Sequence, residues 1–254
     1  MSNNKVSLIV PAYNEEMYIG TALNSAREQT RKPDEILVIA NGCTDNTADY
    51  VYSKHQPGFG ESLRVFEIEE KGISLAKNYG IERASGNIIA FLDADSQMTP
   101  KVIEEAEEAL SEGNYAGAKA RIKFRTNEFG GKALAAYANF CNAAAIGASN
   151  LSDFLKWLPQ SGTGAFMASK AEVLEKIKDL YGDFFDEGLE TMEDADFTKR
   201  MRQFGELCLL ENYVITSARR YDPNRGGKGY LKGFIEDDLL HYLSPEGKER
   251  KAYR

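Results

Sequence analysis

Apolar residues follow two rhythms along this chain. VSLIVPA (Val6–Ala12), EILVIAN (Glu35–Asn41), LRVFEI (Leu63–Ile68) and NIIAFLDA (Asn87–Ala94) are short, nearly continuous apolar runs bounded by polar and turn-forming residues. That is the pattern of strands covered on both faces. Between them, Glu15–Gln29, Thr44–Lys54 and Ile73–Ala84 carry helical spacing or helix starts, so the chain predicts parallel βαβ units with right-handed crossovers. Beyond Asp95 the alternation loosens. A helix is predicted over Thr99–Ser111, a strand over Ala116–Phe124, a helix over Gly131–Gly147, and a strand over Thr163–Ser169 with a short helix from Lys170. Phe197, Met201 and Phe204 fall at i, i+4 and i+7 with Gly205 as the stop, which predicts another helix. A Gly-rich basic loop from Ser217 precedes a last predicted helix, Leu231–Leu243. No repeat or linker interrupts the chain, so residues 1–254 read as one α/β domain in three parts, 1–98, 99–216 and 217–254.

The strand ends raise the chemical question. In IIAFLDADS an apolar run stops at Asp93 and Asp95, separated only by Ala94. The carboxyl edge of an open α/β sheet is where ligands bind. Two carboxylates two apart in an extended segment point the same way and suit a shared Mg²⁺ or Mn²⁺. Capping by Asp95-Ser96 of a helix near Thr99-Pro100 satisfies the same residues. PAYNEE closes the first strand: Tyr13 is placed to stack on a base and Glu15 to accept from a ribose or a base nitrogen, while Asn14 equally fits a helix cap. Asn41-Gly42 opens a turn in NGCTDNT, with Thr44 or Asp45 as a cap. Lys77 lies on the helix leading to the DADS strand, either reaching a diphosphate or solvated on the helix face. No GxGxxG or Walker loop is present, which removes the support for hydride-transfer and P-loop chemistry.

Composition narrows the classes. A net charge of −8 argues against a nucleic-acid partner, which needs a basic face. Cys43, Cys141 and Cys208 are odd in number and widely spaced, neither a disulfide framework nor a zinc motif, and a cytoplasmic setting is expected. The N-terminal apolar run breaks at Pro11, too early for a signal-peptide core. Ala133 to Asn150 is Ala-rich and short of the ~20 strongly apolar residues that span a bilayer, so no transmembrane helix is expected.

Taken in order, PAYNEE, NGCTDNT, KGISLAKNYGIERASGNIIAFLDADS, GTGAFMASKAEVLEKI and GDFFDEGLETMEDADFTKRMRQFG resemble the family 2 glycosyltransferases over roughly residues 6 to 220. The resemblance implies a GT-A fold, the nucleotide-diphospho-sugar transferase fold. It implies Mn²⁺ or Mg²⁺ held with the donor diphosphate at the Asp93-Ala94-Asp95 motif, Asp95 on the metal and Asp93 on the ribose or a metal water. Pro11, Ala12, Tyr13 and Glu15 match the family's nucleoside turn, and Lys77 the position of an arginine near the diphosphate. Ala40 and Asn41 depart from the paired aspartates of a VDDGS sequence, which leaves the nucleotide open, UDP-sugars favoured over GDP-sugars.

Asp194 matches the family's base for an inverting transfer, with Glu193 its neighbour. A carboxylate at a helix N-terminus is suited to taking the acceptor proton. Arg219, Arg220, Arg225 and Lys228 would close as a lid over the diphosphate, or form an exposed basic loop. The QxxRW motif of processive synthases is absent, which implies transfer of one sugar. In these terms 1–98 is the donor half, 99–216 the acceptor and catalytic half, and 217–254 the basic loop and C-terminal helix. Phe129 to Gln160, with Tyr137, Phe140, Phe154 and Trp157, is expected to choose the acceptor, a sugar, a lipid-linked molecule at a membrane surface or a small molecule, or else to pack as core. Two alternatives stand: a non-catalytic nucleotide-sugar-binding protein, and a sugar-nucleotide pyrophosphorylase, whose Gly-rich LAGGxGTRL-like opening is missing.

Overall fold

β1 (Val6–Ala12) and β2 (Glu35–Asn41) are buried at every position, as strands walled in on both sides must be. The computed structural model describes residues 4–112, 115–125, 164–189 and 193–217 together with Ala136, Asn139 and Arg219. Within them the chain runs β1, α1 (Ile19–Arg27), β2, α2 (Thr47–Lys54), a short α3 (Gln56–Phe59), β3 (Leu63–Ile68), α4 (Ile73–Ile81), β4 (Ile88–Leu92), β5 (Gln97–Met98) and α5 (Val102–Glu112). It continues with β6 (Tyr115–Phe124), β7 (Phe166–Lys170), α6 (Ala171–Tyr181), α7 (Glu193–Met201) and β8 (Glu206–Thr216).

All eight strands join one sheet in the order β3-β2-β1-β4-β7-β6-β8-β5. β3, β2, β1 and β4 are parallel neighbours. β7 then runs antiparallel between β4 and β6, β8 is parallel to β6, and β5 is antiparallel to β8. The sheet is mixed and mostly parallel, in a single α/β domain. Alternation along β1 builds two cores: Leu8 and Val10 face one with α1, α2 and α5, while Ile9 faces the other with α4, α6 and α7, the period-2 rule of a strand with helices on both faces.

Two readings from sequence are corrected. β8 was not predicted: its burial alternates irregularly between buried, half-buried and exposed, so it carries no continuous apolar run. Asp93 to Asp95 are not extended. β4 ends at Leu92, and Ser96 N–H donates to the Asp93 carbonyl at 3.0 Å, closing a turn. Ser96 caps no helix there; its hydroxyl donates to Thr216 Oγ1 at 2.8 Å, and α5 begins at Val102. Of the predicted Gly131–Gly147 helix, only Ala136 and Asn139 are described, both helical. The Asn139 amide takes Ile122 N–H and gives to Ile122 C=O, each at 2.8 Å. The predicted Leu231–Leu243 helix, Trp157 and the rest of the expected acceptor segment, and Arg220, Arg225 and Lys228 lie outside the described residues. Among the described residues no helix is long and apolar enough to cross a membrane.

Candidate active site

The carboxyl ends of β1, β2 and β4 meet at one edge of the sheet. Pro11 and Ala12 finish β1 inside the core. The chain then turns through Asn14, which adopts φ 55°, a left-handed conformation that Asn tolerates better than most residues. Asn14 caps no helix: α1 starts later, at Ile19. Its Oδ1 instead accepts from the Thr44 and Asp45 N–H groups at 2.8 and 3.3 Å, tying the first turn to the second. Tyr13 is exposed and carries the Lys71 ammonium 4.0 Å from its ring centroid. Asn41 is buried at the end of β2 and donates to the Gly72 carbonyl at 3.2 Å.

Glu15 and Asp95 share Arg219. The guanidinium pairs with Glu15 Oε1 and lies 3.5 Å from Asp95 Oδ2, with Tyr18 beneath it. Thr216, from β8, donates to Asp95 Oδ1 at 3.4 Å. Burial pushes Asp95 above the ordinary carboxylate range against the pull of Arg219 and Thr216. Glu15 is raised as well, by burial against Arg219, and its buried Oε2 has no hydrogen-bond partner among the described residues. An orphaned carboxylate oxygen is an acceptor held ready for a donor or a cation.

Asp93 is half-buried as a residue. Burial of its carboxyl pushes it up to about 8; Lys77 opposes this, and Asp95, Glu193 and Asp194 add to it. Ala94 between the two aspartates is buried. Lys77 is 1% exposed and pairs with Glu193 Oε1 at 2.8 Å. Burial works against its charge, yet Glu193, Asp93 and Asp194 hold its pKa above the ordinary lysine value. A solvated helix-face position is therefore not what the fold gives Lys77.

The helix carrying Glu193 and Asp194 is fixed by aromatic packing. Phe185 and Phe197 stack at 4.1 Å, and Phe91 of β4 meets both edge-on at 5.3 and 5.9 Å. Next to Lys77, the Asn78 amide clasps the backbone of Phe185, N–H and C=O both at 2.9 Å. Asp194 lies in the first turn of α7 and accepts from Ala195 N–H at 2.8 Å. Burial and Glu193 raise its pKa, while Lys119, Lys77 and the Gly164 N–H pull it down. Gly164 lies flat against it: a Cβ at that position would stand 2.5 Å from Asp194 Cβ.

The fold thus gathers Glu15, Asp95 and Arg219 into one cluster and Lys77, Asp93, Glu193 and Asp194 into an adjoining one. Tyr13 lies just beyond β1 and Asn41 at the end of β2, on the same sheet edge. Reasoning from sequence missed Thr216 and Lys119. Thr216 was hidden with its strand. Lys119 had a signal, a lysine set between Ala118 and Ala120 in YAGAKARIKF. Asp93 and Asp95 supply hard oxygen donors, crowded and raised in pKa, which suit a divalent cation, although among the described residues no group of three acidic, histidine or cysteine side chains is arranged to hold one.

The model of the family "Glycosyl transferase family 2" matches residues 7–178. The putative glycosyltransferase EpsH of Bacillus subtilis is 37% identical over 107 residues, 41% of this chain and 30% of that protein. Alignments to the first curated relatives span 17% to 45% of those proteins' own lengths. Among solved structures, the Pyrobaculum calidifontis mannosyltransferase PcManGT in complex with GDP-Man and Mn²⁺ superposes with a TM-score of 0.69 at 20% identity, over 100% of this chain and 67% of that one. S. aureus TarS 1–349 in complex with UDP-GlcNAc gives 0.60 at 20% identity, over 84% and 58%. At such identities the likeness is one of fold, the GT-A architecture.

Proposed function

The chain belongs to glycosyltransferase family 2, and from that premise we propose that it moves one sugar, with inversion and with Mn²⁺ or Mg²⁺, from a nucleoside-diphospho-sugar to an acceptor hydroxyl. The observation that carries this reading is the gathering of Glu15, Asp93 and Asp95 with Asp194, from separate elements, at one sheet edge. Two of the structural relatives bind a UDP-sugar and a GDP-sugar. UDP remains the donor favoured here.

Each residue then has a task. Tyr13 and Asn41 receive the nucleoside, and Glu15 accepts from its ribose or base. Asp95 and Asp93 would hold the cation, which when bound neutralises the diphosphate as it leaves. Asp194 is the base. As the acceptor oxygen bonds to the anomeric carbon, the bond from that carbon to the diphosphate breaks, its electron pair leaves with the phosphate oxygen, and the acceptor proton passes to the Asp194 carboxylate. Glu193 does not compete for the role, because its carboxylate is bonded to Lys77. Arg219, which pairs with Glu15 and lies beside Asp95, would turn to the same diphosphate.

Calorimetric titration of UDP and of GDP, in Mn²⁺ and in chelator, tests the reading. Binding is expected only with the cation. Equal affinity in both media overturns the metal assignment, and binding of neither nucleotide overturns the donor site.

A further inference from the structure

Two buried lysines underlie this site. Lys77 answers Glu193. Lys119 approaches from a different element, the interior of β6, and is 0% exposed. Its Nζ donates to Thr198 Oγ1 at 3.2 Å, and that hydroxyl donates to the Asp194 carbonyl at 2.5 Å. Thr198 lies four residues beyond Asp194, one turn further along the same face of α7. The ammonium is thereby fixed beneath the first turn of the helix, on the side that carries Asp194.

A lysine at that depth is costly unless an opposite charge answers it. The charged groups acting on Lys119 include Asp194 and Lys77; those acting on Asp194 include Glu193, Lys119, Lys77 and Asp93. Lys119 and Asp194 are opposite charges, and each favours the charged form of the other. Burial lowers the Lys119 pKa, with Lys77 adding to this and Asp194 opposing it, so Asp194 favours the charged ammonium.

We propose that Lys119 is the positioning residue of the base: anchored by Thr198, whose hydroxyl bonds the Asp194 carbonyl, its ammonium supports the charged Asp194 carboxylate from beneath the first turn of α7. The proposal rests on the assignment of Asp194 as base. It assigns β6 a part in the reaction. The Lys119 ammonium touches neither donor nor acceptor, and acts through Asp194.

The test follows the Asp194 carboxyl by ¹³C NMR titration, its resonance identified by its loss in Asp194→Asn. Lys119→Met keeps the length and removes the charge, and is expected to raise the Asp194 midpoint by about one pH unit or more. Thr198→Val is expected to raise it by less, and Lys119→Arg to leave it near the wild-type value. The acid limb of nucleotide release from UDP-glucose or GDP-mannose in Mn²⁺ should move by the same amounts. An unchanged Asp194 midpoint in Lys119→Met overturns the proposal. Should that variant fail to fold, Thr198→Val decides: a raised midpoint supports the pairing and an unmoved one overturns it. Persistent nucleotide release by Asp194→Asn would sink the base assignment instead, a separate result that leaves the charge pairing to be judged by the titration alone.

Discussion

Two carboxylates at opposite ends of the parallel part of the sheet, Glu35 at the start of β2 and Asp93 just past β4, are treated in opposite ways. At the amino end, Glu35 accepts from the Ser7 hydroxyl, the Ser85 hydroxyl and the Ser85 N–H, each at 2.6 Å, and pairs with Arg64 at 2.5 Å. Burial opposes its charge, but these donors prevail and hold the pKa near 2. At the carboxyl end, Asp93 has company of its own sign and stands at about 8. The same chemical group is saturated where it only has to hold strands together, and left under-compensated at the edge proposed above to receive the donor. A strained set of charges at a sheet edge is thus a better marker of function than the presence of acids as such.

The sharpest way to break the contrast is Asp194→Asn. Transfer is expected to fall about 10²- to 10⁴-fold, with UDP or GDP affinity in Mn²⁺ within about twofold of wild type. A parallel loss of nucleotide affinity would mean that catalytic and donor groups form one unit. Asp95→Ala acts on the other cluster: its nucleotide affinity in Mn²⁺ should drop to the value that wild type shows in chelator.

The raised pKa of Asp93 makes a prediction in pH. At pH 7 its carboxyl is mostly protonated, so cation binding should release a proton, and Mn²⁺ affinity should climb by up to about tenfold per unit towards pH 8 and level off above it. Calorimetry in buffers of different ionisation enthalpy reads the proton directly. Stability runs the opposite way: between the ordinary value of 3.8 and about 8 the folded chain holds a proton that the unfolded chain has lost. Stability therefore declines with rising pH across that window, by up to about 1.4 kcal/mol per unit, and Asp93→Asn should flatten the slope.

Glu35→Gln is the smallest and most local change. Its depressed pKa contributes stability that is present above pH 4.5 and lost as pH falls towards 2. The substitution is expected to cost about 1–3 kcal/mol near neutrality, to weaken the acid-side dependence of the melting temperature, and to leave nucleotide binding alone.

How much of this was legible depends on what each residue announces locally. β1, β2 and β4 are apolar runs that read as buried strands, and the turns after them stood out as polar interruptions. β8 (ELCLLENYVIT) mixes polar and apolar positions along a strand paired to β6 with irregular register, so no period reports it. Asp93 and Asp95 were found, but their division between two clusters depends on the turn at Ser96, which sequence spacing treats as straight. Lys77 was found with an open role; its burial against Glu193 is a contact across 116 positions, beyond any local pattern. Lys119 was passed over because the strand around it reads well without it.

Gly164 has a consequence for how variants of this chain are judged. A methyl group there would meet Asp194 Cβ at 2.5 Å and its Oδ2 at 2.9 Å, closer than real Cβ contacts come. Gly164→Ala would therefore push the carboxylate aside while every acid, lysine and arginine remained in the sequence. A census of motifs would score such a protein as competent. Competence in this chain is written partly in the one side chain it must not have.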